Sequence, residues 1–265
     1  MMGVWVVNPS CFPVAAASFI IFVIVSRVIS PYVSSVLSAT YRNLSPARKV
    51  DWDSRITSSV HAVIVSSLCV YSLLFDYPIY EDKIWGHSIF VTSSCAIVVG
   101  YMFADLVVML VFYSYIGDVF YIFHHLASII PYTIVMIFSV FNYFANFRLM
   151  AELSTPFINN RWLFDILGYP RSSIAYVSNG LTMSVVFFLA RILSMPFYYY
   201  QTYQNYGTES YNEIGWVHYS CIIIYPCIVL DIINIFWFYK LALGCKKVIK
   251  GLVNKDSSKP EMKKE

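Results

Sequence analysis

Seven ionisable residues interrupt long apolar runs of this sequence: Asp105, His124, His125, Arg148, Glu152, Arg191 and Asp231. Such a group at the centre of a bilayer costs roughly 3 kcal/mol or more unless it is paired or solvated, so each is a candidate for function. His124 and His125 are adjacent. On a helix they point about 100° apart, so one can face a cavity while the other orients it. An imidazole beside a carboxylate can act as general base or nucleophile, because the carboxylate fixes its tautomer and stabilises its cation. Asp105 or Asp231 can fill that place. The competing reading is that these groups only hydrogen-bond helices to one another. Arg148 and Glu152 stand four apart and can pair across one helical turn, with Arg191 joining them. That set either compensates charge so that a polar segment can cross, or grips the phosphate or carboxylate of a lipid head group. No H-x-x-x-H or H-x-x-E spacing accompanies the histidines, so no metal is expected.

The elements that must position these residues are transmembrane helices. The chain has 265 residues, 58% hydrophobic and only 12% charged, against about a quarter charged in soluble domains. Its mean hydropathy is +0.63, more apolar surface than a water-soluble globule can hide. An all-α, polytopic membrane protein follows. The only basic cluster is a short C-terminal tail, which argues against nucleic-acid binding. A spanning helix needs about 20 apolar residues. Six stretches qualify, near 12–30, 57–75, 89–113, 120–140, 174–198 and 215–240. A seventh, 146–162, is more polar and carries Arg148, Glu152, Asn159, Asn160 and Pro156.

Charge asymmetry decides the count. With seven crossings, all of the 18 Lys and Arg except Lys83, Arg148 and Arg191 fall on one side. The positive-inside rule makes that side cytosolic. The expectation is therefore about seven helices around a central cavity, the N-terminus outside and the C-terminus in the cytosol. In this topology Asp105 and Asp231 each lie roughly 12 Å, and His124 and His125 roughly 8 Å, from the cytosolic helix ends. The four are expected to form one layer. Pro131, Pro156, Pro196 and Pro226 each interrupt an apolar helix and are expected to kink it. Residues 1–39 read as an N-terminal segment with the first crossing, 40–245 as the main domain, and 246–265 as a disordered basic tail.

Two longer patterns carry a family resemblance. Phe123-His124-His125-Leu126-Ala127-Ser128 is followed about 20 residues on by Asn146-Phe147-Arg148 and the run Ala151-Glu152-Leu153-Ser154-Thr155-Pro156-Phe157. Asp51-Trp52-Asp53-Ser54-Arg55, His61, Gly100-Tyr101 and Asn159-Asn160-Arg161-Trp162 accompany them. Together they resemble the TLC domain family, which includes ceramide synthases and translocating-chain-associating membrane proteins. The resemblance implies a helical lipid-handling protein of the endoplasmic reticulum. In the ceramide synthase branch, a sphingolipid enzyme, the paired histidines join an acyl chain from acyl-CoA to a long-chain base; that role would map onto His124 and His125. The branch carries H-D-x-S-D on the next helix. Here the stretch reads Ala151-Glu152-Leu153-Ser154-Thr155, keeping one acid and losing the histidine and the second aspartate. The preferred expectation is a lipid-homeostasis protein that binds or senses a lipid or acyl chain beside the histidines, with membrane lipids as partners and homo-oligomers possible. The alternatives are an acyl-CoA-dependent N-acyltransferase, with acyl-CoA as co-substrate and no other cofactor, and a non-catalytic trafficking or receptor protein.

Overall fold

The computed structural model describes residues 5–256, which form helical rods joined by short helices and turns. In chain order the rods are α1 (Cys11–Leu37), α2 (Pro46–Phe75), α3 (Ile89–Val111), α4 (Val119–Phe138), α5 (142–166), α6 (Ile174–Gln204) and α7 (216–256). All but α5 are long and apolar enough to cross a membrane. Helix starts follow local chemistry. The side chains of Ser45, Ser88 and Ser173 accept from the N–H groups of Arg48, Val91 and Tyr176, and Asp118 accepts from Phe120. Each satisfies a donor that has no partner within the helix.

The polar rod α5 runs antiparallel to α2. Asn146 donates to the Cys69 carbonyl at 3.2 Å, and Cys69 Sγ donates to the Asn146 carbonyl at 3.1 Å. At the other end Asn159 donates to the Arg55 carbonyl at 3.1 Å and to Ser59 Oγ at 3.0 Å. Side-chain amides thus replace apolar packing along this contact. At 1.5 Å per residue, α5 is roughly 37 Å long.

Four prolines share a pattern. Pro31, Pro196 and Pro226 each follow a wide π turn, at Val25–Ile29, Phe188–Leu193 and Ser220–Ile224. Pro156 follows a tight 3-10 turn at Met150–Ser154. Proline lacks an N–H and its ring clashes with the carbonyl four residues back; in each case that carbonyl lies inside the irregular turn. The expected distortion at Pro156, Pro196 and Pro226 is therefore a change of helix winding. Pro131, by contrast, sits within the α-helical run Val119–Phe138.

α3 is the hub, lined by the small residues Ser94, Cys95, Ala96, Gly100 and Ala104, all buried. Small residues let membrane helices approach closely. A Cβ at Gly100 would lie 2.6 Å from Ser18 Cβ and press on the α1 backbone, so only glycine admits this crossing.

The end of the bundle holding the 76–88 and 205–215 loops is acidic and closed. Asp82 accepts from the N–H groups of Ile84 and Trp85 and from the Ser210 hydroxyl at 2.7 Å. Lys83 donates to Gln201 at 2.6 Å, and Ser88 bonds Asp76. Burial pushes the Asp82 carboxyl upward, but the Trp85 N–H, the Ser210 hydroxyl and the Ile84 N–H outweigh it and hold the group below the usual carboxylate range. At the opposite, basic end, α7 continues to Asp256 rather than ending near 240, so the first part of the expected disordered tail is helical. Residues 257–265, the rest of that tail, lie outside the described residues.

Candidate functional site

A cavity of about 490 Å³ opens at the basic end between α2, α3, α4, α5, α6 and α7. Asp105, His124, His125, Glu152 and Arg191 all line it. The predicted histidine layer and part of the predicted arginine set are therefore one site.

His125 is locked in place. Its Nδ1 lies 2.7 Å from the Tyr121 carbonyl, one turn earlier on α4, and its Nε2 lies 3.1 Å from Asp105 Oδ2. A carbonyl can only accept, so Nδ1 carries a proton. The contact to Asp105 then needs a second proton between Nε2 and Oδ2. The Ser54 hydroxyl donates to the other Asp105 oxygen at 3.1 Å and holds the carboxylate in register. With both nitrogens committed, His125 can hold charge or give up a proton but has no lone pair to offer.

His124 differs. Its Nδ1 is buried with no hydrogen-bond partner. Its ring leans on Trp237 of α7, centroids 5.7 Å apart, and meets the His125 ring at 79°. The adjacent histidines therefore divide into one fixed and one free imidazole, as their angular spacing allows. A free nitrogen beside a fixed histidine–carboxylate pair is the arrangement that a general base or a hydrogen-bonding ligand site requires.

Arg191 is buried at 5% exposure, on the π turn of α6. Its Nε donates to Ser154 Oγ at 2.9 Å, Nη1 to Asn234 Oδ1 at 3.0 Å and Nη2 to Thr155 Oγ1 at 3.3 Å. The Thr155 hydroxyl in turn donates to Glu152 at 2.9 Å. Glu152 and Arg191 thus balance each other through one hydroxyl.

Two sequence expectations fail here. The i,i+4 pair of Arg148 with Glu152 does not form. The 3-10 turn at Met150–Ser154 winds at about 120° per residue instead of 100°, which carries Glu152 off the Arg148 face. Arg148 instead donates to Asp231 at 2.5 Å, and the Tyr199 hydroxyl completes that carboxylate at 2.8 Å. Neither Arg148 nor Asp231 lines the cavity. Trp237 is the α7 residue whose ring meets His124, and Asp231 lies six residues from it, roughly 9 Å along the helix. Of the two candidate partners for the histidines, Asp105 makes the contact.

Other site residues carried weaker signals. Ser54, Arg55, Tyr101, Asn159 and Arg161 lie in the patterns that marked the family resemblance, and all line the cavity. His61, from the same patterns, stacks on Tyr101 with centroids 3.8 Å apart and has no partner for either nitrogen. Thr155 stood in the family pattern only as the replacement for an aspartate, and Trp237 and Asn234 carried no chemical signal; the fold brings these three to Glu152, His124 and Arg191.

Comparison with known proteins identifies the family. A family profile described as the TLC domain matches residues 51–243. TLC domain-containing protein 4-A of Xenopus laevis is 44% identical over 237 residues, covering 89% of this chain and 92% of the relative. Human TLC domain-containing protein 4 is 40% identical over 237 residues, 89% of each chain. Protein CLN8 of Mus musculus is 25% identical over 231 residues, 85% of this chain and 78% of the relative. No solved structure matches significantly. With a profile covering most of its length and relatives this similar, the chain belongs to the TLC domain family of integral, multi-pass membrane proteins.

Proposed function

We propose that this protein binds an acyl lipid in the cavity beside His124 and serves membrane lipid homeostasis, with the basic end facing the cytosol and the endoplasmic reticulum as its membrane. The observation that carries the reading is the unpartnered nitrogen of His124 inside a cavity where the neighbouring Asp105, His125, Glu152 and Arg191 are already committed to one another or to nearby side chains. A buried polar atom without a partner marks a place where a ligand or water bonds. The orientation rests on the positive-inside rule. In it α5 makes the seventh crossing beside α2, its polar residues shielded by neighbours.

The second reading is N-acyl transfer from acyl-CoA to a long-chain base. The free His124 beside the fixed His125–Asp105 pair favours it. Ala151 and Thr155 stand against it, because they replace two of the four fixed residues of the synthase pattern on α5.

The test uses the purified full-length protein. Its lipid extract is measured by mass spectrometry, and it is incubated with acyl-CoA and a long-chain base beside His124→Ala. Acyl lipid that co-purifies with the wild type, and is lost when Met183→Trp fills the cavity, supports the binding reading. A wild-type protein free of lipid sinks it. An amide product that vanishes in His124→Ala establishes the transfer reading instead.

A further inference from the structure

The charges that line the cavity divide into two groups. Inside, each has a local counterpart: Asp105 contacts His125, and Arg191 reaches Glu152 through Thr155. At the mouth, Arg55 is held by Asp51 at 2.8 Å and stacks over Trp162 at 4.8 Å. Arg161 and Lys240 line the same mouth and have no carboxylate partner among the described residues. Lys240 only leans on the Phe236 ring, at 4.2 Å.

Both cations lie along α7. Both guanidinium nitrogens of Arg161 lie 3.9 Å from where a Cβ on Gly244 would stand, so the group rests against α7 where that helix has no side chain. Lys240 is one turn back from Gly244, and residues four apart lie about 5–6 Å from each other on one helix face. The Lys240 ammonium rests over Phe236, away from Gly244, but it is exposed on a flexible four-carbon stem, so the arginine fork and the lysine flank the opening along α7. Beside the polar groups already described, the cavity wall carries the apolar side chains Met102, Met109, Ile158, Met183, Phe187 and Leu241.

Two cations flanking a cavity with this apolar wall fit an anion that carries a tail. A phosphate offers oxygens enough to take the arginine fork bidentately and the ammonium as well. We infer that the mouth is a phosphate site for a phosphate-bearing lipid, with Arg161 and Lys240 holding the phosphate and the acyl chain lying in the cavity. This deepens the lipid-binding reading and rests on it. In the proposed orientation the site faces the leaflet that carries anionic lipids.

The experiment measures binding of three ligands with the same palmitoyl chain to the full-length protein in neutral-lipid nanodiscs. They are lysophosphatidic acid, palmitoyl-CoA and monopalmitoylglycerol, which has no phosphate. Lysophosphatidic acid is expected to bind about tenfold more tightly than monopalmitoylglycerol. The Arg161→Gln, Lys240→Gln double variant is expected to erase that difference and leave monopalmitoylglycerol binding unchanged. Lys240 is exposed and Arg161 half-buried, so the fold should persist, which an unchanged melting temperature would verify. Equal affinity for the charged and neutral ligands, or a preference that survives the double substitution, overturns the phosphate site and leaves the lipid reading standing. A preference confined to palmitoyl-CoA assigns the cations to its nucleotide handle and overturns the head-group assignment. Failure of all three ligands to bind overturns the lipid reading and this one with it.

Discussion

The two ends of the bundle treat polar groups in opposite ways. At the acidic end the carboxylates and amides of the turns find partners within the chain, although Trp85 Nε1 is buried there without one. Asp82 takes three donors, and Asn142 bonds Gly86, Ser139 and Thr92 while fully buried. At the basic end the chain leaves a cavity, an imidazole nitrogen without a partner and two uncompensated cations. Satisfied buried groups make a rigid cap; unsatisfied ones hold open a place for something else. A membrane protein cannot leave polar atoms bare against lipid, and the unpartnered groups of the basic end are the ones that the proposed lipid site uses.

Between the two ends stands the ion pair of Arg148 with Asp231, and breaking it should have the largest effect. Arg148→Met leaves a carboxylate at 5% exposure with only the Tyr199 hydroxyl. Removing one partner of a buried pair costs about 3–5 kcal/mol. Thermal melting in detergent should show a loss of that size. A loss under about 1 kcal/mol would mean that water reaches Asp231, and the division between a sealed and an open end would weaken.

The next test contrasts one residue from each end. Asn142→Ala strands the Thr92 hydroxyl and the Gly86 and Ser139 carbonyls, for about 1–3 kcal/mol. His124→Phe removes two nitrogens, of which Nδ1 has no partner to lose, and keeps the ring against Trp237. Its melting temperature should stay within the scatter of surface substitutions, about 0.5 kcal/mol, while lipid retention falls. Equal destabilisation by both variants would mean that His124 is a structural residue.

Much of this was legible in the sequence, and the failures have physical causes. Apolar runs located six rods, and charge asymmetry found α5, which hydropathy alone passes over. Depth counted along α3 and α4 brought Asp105 level with the histidines, but left Asp231 as an equal candidate and did not say which histidine the carboxylate meets. Asp231 is instead taken up by Arg148, a pairing between distant helices that no local spacing announces. The Arg148–Glu152 pair failed because Pro156 tightens the preceding turn, a clue that stood in the sequence but whose sense, tight or wide, depends on packing. Lys240 read only as a topological charge, and Arg161 only as part of the family pattern, since nothing local says that α5 and α7 bring them to one opening.

The smallest expected effect is pH-dependent and belongs to the closed end. Hydrogen bonds from Trp85, Ser210 and Ile84 outweigh burial and hold the Asp82 carboxyl below its usual range. The folded state therefore favours the ionised form. That contribution is fully present above the unfolded value of about 3.9 and is lost as pH falls through the folded one. The melting temperature of the wild type should exceed that of Asp82→Asn at neutral pH, and the gap should narrow below about pH 4. Ser210→Ala removes one of the three donors, so its gap to Asp82→Asn should be smaller at neutral pH and should also close as pH falls. The basic end offers a control. Arg161→Gln and Lys240→Gln alter groups that pair with no carboxylate among the described residues, so neither should change the slope between pH 4 and neutrality. A gap that stays constant down to the acid limit would mean that the Asp82 bonds hold the neutral carboxyl equally well. The cap would then be stabilised by packing of the two loops, with no contribution from the carboxylate charge.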